Sequence, residues 1–286
     1  MEVVKMRLRP EPFPQTWEQS VDQWLTYLRA AGRMPSTIKT RRVKLWGFVH
    51  YLAGKPPENV TRTDCEKWMG REGLSAETRK GIRATLTSYF DWCVDHDLRS
   101  DNPAIGLPHV AGSKPHPRPC PETGIREAMD GLSERDRLMV RLGAELGLRR
   151  GEIAKVSGRD VVGPADNALL RVVGKGDKQR LIPLPQDLAV RIRQTGDGWL
   201  FPSRNDHGIS HLTAGRVGKI VGSALPQSYG THSLRHRAAT QAYLATHDLL
   251  AVSTLLGHSS VATTQRYVAM PPEELRKVVS SLRVHA

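Results

Sequence analysis

The chain has 286 residues, 39% hydrophobic and 25% charged, and its 42 Lys and Arg against 29 Asp and Glu give a formal charge of +13. That length suffices for two domains with separate cores, and a cationic surplus of this size points to a polyanionic partner, nucleic acid first. Cys65, Cys93 and Cys120 form no Cys-x-x-Cys pair, which argues against a zinc ribbon and a disulfide framework and fits a reducing cytosol.

No apolar run reaches the roughly 18 residues that a membrane span requires, so no membrane partner is expected. Residues 1–14 read as a short basic tail ending in Pro12 and Pro14, with no apolar core that would make a signal peptide. Four helices should follow. Thr16 is expected to cap the first, whose Trp17, Val21, Trp24, Leu25 and Leu28 recur at helical spacing and mark one buried face. Ser36 precedes the second, with Ile38, Val43, Trp46, Val49 and Leu52 on its apolar side. Thr61 or Thr63 can cap a short third helix carrying Cys65, Trp68 and Met69. Ser75 opens a fourth, residues 76–97, with Ile82, Leu86, Tyr89, Phe90 and Val94. Basic residues cluster on and before the second and fourth helices: Lys39, Arg41, Arg42, Lys44, Arg79, Lys80 and Arg83. Such a cluster suits a nucleic-acid-facing surface or an ordinary solvated face, and charge alone does not separate the two.

Prolines dominate from Pro103 to Pro121, and this stretch reads as an extended linker. The expected division is a tail over 1–14, a helical bundle over 15–104, a linker over 105–120 and a second domain over 121–286. In the second domain, 122–131 and 134–147 are expected as helices, the latter stopped by Gly147. Arg149 falls in the turn before a further helical stretch over 152–156. Residues 169–174 and 178–184 alternate as two strands of a hairpin turning at Lys175-Gly176-Asp177-Lys178. A loop containing Pro202 and Gly208 leads to a helix over 211–222. A Thr231–Ser233 cap opens the helix carrying Arg235 and His236, and 249–256 is a helix stopped by Gly257. Pro272 opens a last helix with Leu275, Val278, Val279 and Leu282 as its stripe. The fold class is mainly α with a small β-hairpin or sheet in the second domain, an α+β arrangement.

Between Thr231 and Tyr267 the chain gathers His232, Arg235, His236, His258 and a phenol. An arginine fork clamps two non-bridging phosphate oxygens, imidazoles move protons, and a phenol, titrating near ~10 when free, becomes a nucleophile where positive charge or a base assists it. That set meets the needs of transesterification at a phosphodiester. A zinc hydrolase built on His232, His236 and His258 would lack the glutamate of His-Glu-x-x-His and would put Arg235 beside a cation. No metal and no cofactor is expected.

His232-x-x-Arg235, Leu256-Gly257-His258 and Tyr267 together resemble the second signature box of the tyrosine recombinases, the integrase family. Gly147-Leu148-Arg149-Arg150-Gly151-Glu152 resembles the first box, and Gly174-Lys175-Gly176-Asp177-Lys178 the intervening lysine hairpin. The resemblance covers roughly the C-terminal half of the chain. It implies a catalytic set of Arg149, Lys175, His232, Arg235, His258 and Tyr267, supported by Glu152 and His236. Choosing Arg149 over Arg150, and Lys175 over Lys178, rests on motif register alone. It further implies an N-terminal core-binding bundle whose basic residues, with Lys178, contact DNA.

The implied partners are double-stranded DNA attachment or core sites, a second copy on one site, a tetramer in synapsis and an accessory DNA-bending protein. The implied location is cytoplasmic, in the bacterial host if phage-encoded. The implied reaction integrates or excises DNA through a 3′-phosphotyrosyl intermediate without ATP or metal. Residues around Arg235 and Tyr267 make a phage-type integrase the expected subtype; the alternative, drawn from the short segment before the first helix, is an Xer-like enzyme resolving chromosome or plasmid dimers. A type IB topoisomerase shares the chemistry, and a DNA-binding regulator that never cuts is the non-enzyme alternative.

Overall fold

A computed structural model describes residues 12–112, 117–174, 177–205, 208–226, 228–258, 261–265 and 267–268. The chain forms two compact units, one on either side of residues 113–116.

The first unit is helical: α1 (Gln15–Ala30), α2 (Pro35–Tyr51), α3 (Arg62–Gly70) and α4 (Ala76–Asp95). Its core is aromatic. Trp17 stacks on Tyr89 and meets Phe48 edge-on, while Trp24 lies edge-on to Tyr89. α1 starts one residue before Thr16, with Pro14 at its N-cap and no side-chain cap. α2 starts at Pro35, ahead of Ser36, because proline's fixed φ and missing N–H suit the first helical position. Thr61 and Ser75 do cap α3 and α4, accepting from the amides of Asp64 and Thr78. The α2 core face differs from expectation: Leu45, Phe48 and Val49 are fully buried, whereas Val43 is half-buried. Leu107, within the proline-rich stretch, is buried in the same core.

The second unit contains α5 (Glu122–Asp130), α6 (Glu134–Ala144), α7 (Arg150–Ala154), β1 (Val161–Val162), β2 (Leu169–Val173), β3 (Gln179–Pro183) and α8 (Gln186–Arg193). Then come β4 (Pro202–Asn205), β5 (Gly208–His211), α9 (Ala214–Ala224), α10 (Thr231–Thr246), α11 (Leu249–Leu256) and α12 (Val261–Gln265). β1, β2 and β3 form an antiparallel sheet in that order, with Leu170 opposite Ile182 and Val172 opposite Arg180. The unit is thus mainly helical with small antiparallel sheets. The stretch read as a loop around Gly208 is a second hairpin, β4–β5, whose strands are too short to show an alternation. α10 opens at Thr231 with Gly230 as its N-cap and no side-chain cap. The helix expected from Pro272 lies outside the described residues. Among the described residues no helix is long and apolar enough to cross a membrane.

Candidate active site

Two left-handed glycines shape the site. Gly147 (φ +63°) turns the chain after α6, so that Arg149 becomes the N-cap of α7. Gly257 (φ +65°) ends α11 in a Schellman motif: its amide donates to Thr254 O and the His258 amide to Ser253 O. That motif leaves the Leu255 and Leu256 carbonyls, at the negative end of the helix, free to accept from side chains. Two arginines take them. Arg180 Nε donates to Leu255 O (3.0 Å) and Arg235 Nη2 to Leu256 O (2.7 Å).

His232, Arg235 and His236 share one face of α10 by their i, i+3, i+4 spacing. Arg235 is 1% exposed. Its Nη1 donates to Gly147 O, tying the two boxes together, and its Nη2 also donates to His258 Nε2 at 2.9 Å. Because the guanidinium can only donate, Nε2 of His258 accepts. Its Nδ1 therefore carries the proton and donates to Thr264 Oγ1 at 2.9 Å. Burial, with the Arg235 charge next, pushes the His258 pKa down to about 4, so the ring is neutral at physiological pH. Among the described residues Arg235 Nε is buried without a partner.

Tyr267 lies among these groups. His236 stacks on its ring at 4.5 Å and 22°, His258 lies at 4.7 Å and His232 at 5.2 Å, and the Arg235 guanidinium sits 5.5 Å from the ring centre. Its main-chain oxygen accepts from His236 Nδ1 (3.4 Å) and Thr240 Oγ1 (3.5 Å). Burial, then His232, lowers the His236 pKa to about 4; burial, then Arg235 and Arg149, lowers that of His232.

Glu152 is a buried carboxylate shared by two arginines. It accepts from the Arg149 amide (2.9 Å) and Nη1 (3.0 Å) and from both Nη atoms of Arg180 (3.0 and 2.9 Å). Burial alone would raise its pKa, but the hydrogen bonds from Arg180 and the Arg149 amide more than offset this and hold it below the usual carboxylate range. Arg149 and Arg180 thus grip one carboxylate, and the buried Arg235 adds a third positive charge to the same site. Three fixed positive charges against one negative leave a site that attracts an anion.

Arg149 and not Arg150 joins this network; Arg150 is exposed, beside Gly218. Lys175 lies outside the described residues, and Lys178 is exposed. In the first unit, Arg41 and Lys44 line a groove with Ser36, Thr37, Thr40, Gly81 and Thr85, while Lys39 is exposed. Arg42 packs over Phe13 and Lys80 pairs with Glu77. Arg79 donates to Met69 O and Arg71 O, and Arg83 to Leu107 O, so both also pin the backbone. Sequence reasoning missed Arg180 and Thr264. Arg180 had a legible signal, since it shares the inward face of its strand with Ile182, where an arginine needs a buried acceptor. Thr264 had none.

A family model described as the phage integrase family matches residues 123–274. The tyrosine recombinase XerC of Psychromonas ingrahamii is 31% identical over 283 residues, covering 90% of this chain and 94% of that protein. XerC of Chromobacterium violaceum is 28% identical over 284 residues, covering 91% and 93%. Two solved structures share the fold. The XerH site-specific recombinase bound to a palindromic difH substrate, in a post-cleavage complex, gives a TM-score of 0.68 at 21% identity, covering 91% of this chain and 84% of that one. A lambda integrase dimer bound to a COC' core site gives 0.69 at 19% identity, covering 88% and 76%.

Proposed function

The chain belongs to the phage integrase family and is a tyrosine recombinase, an enzyme that breaks and rejoins DNA strands in site-specific recombination; from that premise we propose that Tyr267 is its nucleophile and Arg149 and Arg235 its phosphate clamp. The observation that carries this reading is the gathering of His232, His236, His258 and the Arg235 guanidinium around the Tyr267 ring.

The phenol oxygen of Tyr267 attacks the scissile phosphorus and gives up its proton to neutral His232. The P–O bond to the 5′-oxygen breaks, leaving a 3′-phosphotyrosyl enzyme. Lys175, by its motif position, protonates the departing oxygen. Arg149 and Arg235 hold the non-bridging oxygens as charge builds, with the unpartnered Nε of Arg235 among the donors. His258, protonated at Nδ1 in the free site, reorients its hydrogen bond toward the phosphate. Energy is conserved in the new ester, so a 5′-hydroxyl from a partner duplex reverses the step without ATP.

The DNA partner is a pair of duplex core sites, each holding two protomers that form a tetramer in synapsis. Arg41 and Lys44, which share one groove of the first unit, supply the charge for phosphate contacts in this reading. Alignment with XerC along nearly the full length of both chains supports resolution between like sites. The residues around Arg235 and Tyr267 keep integration between unlike sites, with a DNA-bending accessory protein, as the second reading.

The test is covalent trapping on nicked duplexes. A randomised duplex library captured by the wild-type chain should yield a protein–DNA adduct whose modified residue, by mass spectrometry, is Tyr267. Tyr267→Phe should yield none, and an adduct surviving in that variant would reject the assignment. Plasmids carrying the captured site as a direct repeat then separate the readings, because resolution without a second, unlike site supports the Xer-like one.

A further inference from the structure

We propose that Arg180 is a positioning residue for strand cleavage: it sets the distance between the two phosphate clamps by bracing Glu152, which holds Arg149, against the end of α11, which holds Arg235. The inference rests on the reading of Arg149, Arg235 and Tyr267 given above.

Arg180 faces inward from β3 and its side chain is only 10% exposed. Its nitrogens are committed to three acceptors. Both Nη atoms grip the two oxygens of Glu152, and Nε grips Leu255 O. The same Glu152 oxygens hold the amide and Nη1 of Arg149. The next carbonyl along α11, Leu256 O, holds Arg235 Nη2. One guanidinium therefore spans from the first clamp's anchor to the second's.

The fit on the α11 side is tight. A Cβ at Gly257 would lie 2.9 Å from Arg180 Cδ and 3.0 Å from its Nη1, so the turn that presents His258 closes directly over this side chain. On the hairpin side, a Cβ at Gly174 would lie 3.8 Å from Glu152 Oε1 and 3.9 Å from Arg180 Nη1, which places the neck of β2–β3 on the same ion pair. Arg180 thus meets three separate chain segments: the α7 turn, the β2–β3 neck and the α11 cap.

A buried ion pair is a poor way to gain stability, since its desolvation cost consumes most of the attraction and a well-packed apolar pair does as well. It does fix geometry, because a fork on a carboxylate allows one orientation. Arg180 is not itself a third clamp: its fork is turned onto Glu152. Its contribution to rate must therefore pass through Arg149 and Arg235.

The experiment compares the full-length wild-type chain with Arg180→Met and Arg180→Lys on nicked duplexes carrying the site captured by the wild type. Thermal midpoint, duplex Kd and single-turnover adduct rate are measured for each. Positioning predicts Kd within about threefold of wild type, an adduct rate down about 100-fold in Arg180→Met, and partial rescue in Arg180→Lys, which keeps the charge but loses the fork. It also predicts that Arg149→Lys/Arg180→Met is no more than about threefold slower than Arg149→Lys, because once the first clamp is impaired the spacing between the two clamps no longer sets the rate. Adduct rates per folded molecule equal to wild type would overturn the proposal, as would a double variant whose defects multiply. Should Arg180→Met fail to fold, Arg180→Lys alone carries both readings, and failure of both variants to fold would make Arg180 a folding residue and overturn the proposal. A wild-type chain forming no adduct would instead overturn the functional reading.

Discussion

At the scale of single residues, the site is a network of donors oriented by a few buried acceptors. Thr264 accepts from His258 Nδ1 and so fixes the tautomer that lets Nε2 accept from Arg235. Thr264→Val keeps the shape and orphans that N–H. An unsatisfied buried donor costs about 1–3 kcal/mol, so the single-turnover adduct rate should fall about tenfold or more while duplex affinity holds. An unchanged rate would mean the tautomer is set elsewhere. Glu152→Gln removes the charge shared by Arg149 and Arg180 and should lower stability by about 3–5 kcal/mol in chemical denaturation, the usual cost of leaving a buried cation unpaired. The imidazoles add a pH dependence. His236 and His258 titrate at about 4 in the folded chain against an ordinary 6.5. Between those values the unfolded chain binds more protons, so stability rises with pH and is lost as pH falls from 6.5 toward 4. The thermal midpoint should therefore be lower at pH 5 than at pH 7. His236→Phe, which keeps a ring against Tyr267 and removes the titration, should shrink that difference.

Among the elements, α11 is the hub. Its Schellman ending frees two carbonyls for Arg180 and Arg235, and that ending depends on Gly257. Gly257→Ala meets both a positive φ of +65° and a Cβ 2.9 Å from Arg180 Cδ. Left-handed strain costs roughly 1–2 kcal/mol and overpacking about 1–3 kcal/mol, so the variant should lose about 2–5 kcal/mol and most of its cleavage activity. Gly147 is held in the same way, with φ +63° and a Cβ 2.6 Å from Leu256 Cδ2. A Gly257→Ala chain with wild-type unfolding and cleavage would show that α11 can end differently without disturbing the arginines.

At the scale of the whole molecule, the main core of the first unit and that of the second share no residue among the described residues. Trp24→Ala, deep in the first core, should cost about 3–5 kcal/mol and lower one unfolding transition while leaving that of the second unit in place. A charge of +13 makes duplex binding strongly salt-dependent. If about six phosphates are neutralised, affinity by fluorescence anisotropy should weaken about 10³-fold between 50 and 200 mM salt. A much flatter slope would argue that the excess charge is spread over surfaces that do not meet DNA.

Much of this was open to reading in the chain itself, because some properties are set by near neighbours. Helical spacing fixed the buried face of α1 and most of that of α4, where Trp92 and Cys93 are buried and Val94 only half-buried; glycines marked the turns at 147 and 257, and the order of Arg149, His232, Arg235, His258 and Tyr267 carried the family. Those features depend on local periodicity, on backbone angles or on motif spacing. What only the tertiary structure decided was how distant segments share acceptors: that one carboxylate, Glu152, serves two arginines, that Arg180 reaches the end of α11, and that Thr264 sets the tautomer of His258. The start of α1, the Leu45–Phe48 face of α2 and the β4–β5 hairpin also escaped the local rules. The physical reason is that a hydrogen bond between residues far apart in sequence leaves no periodic trace. Its partners meet only after the cores have packed.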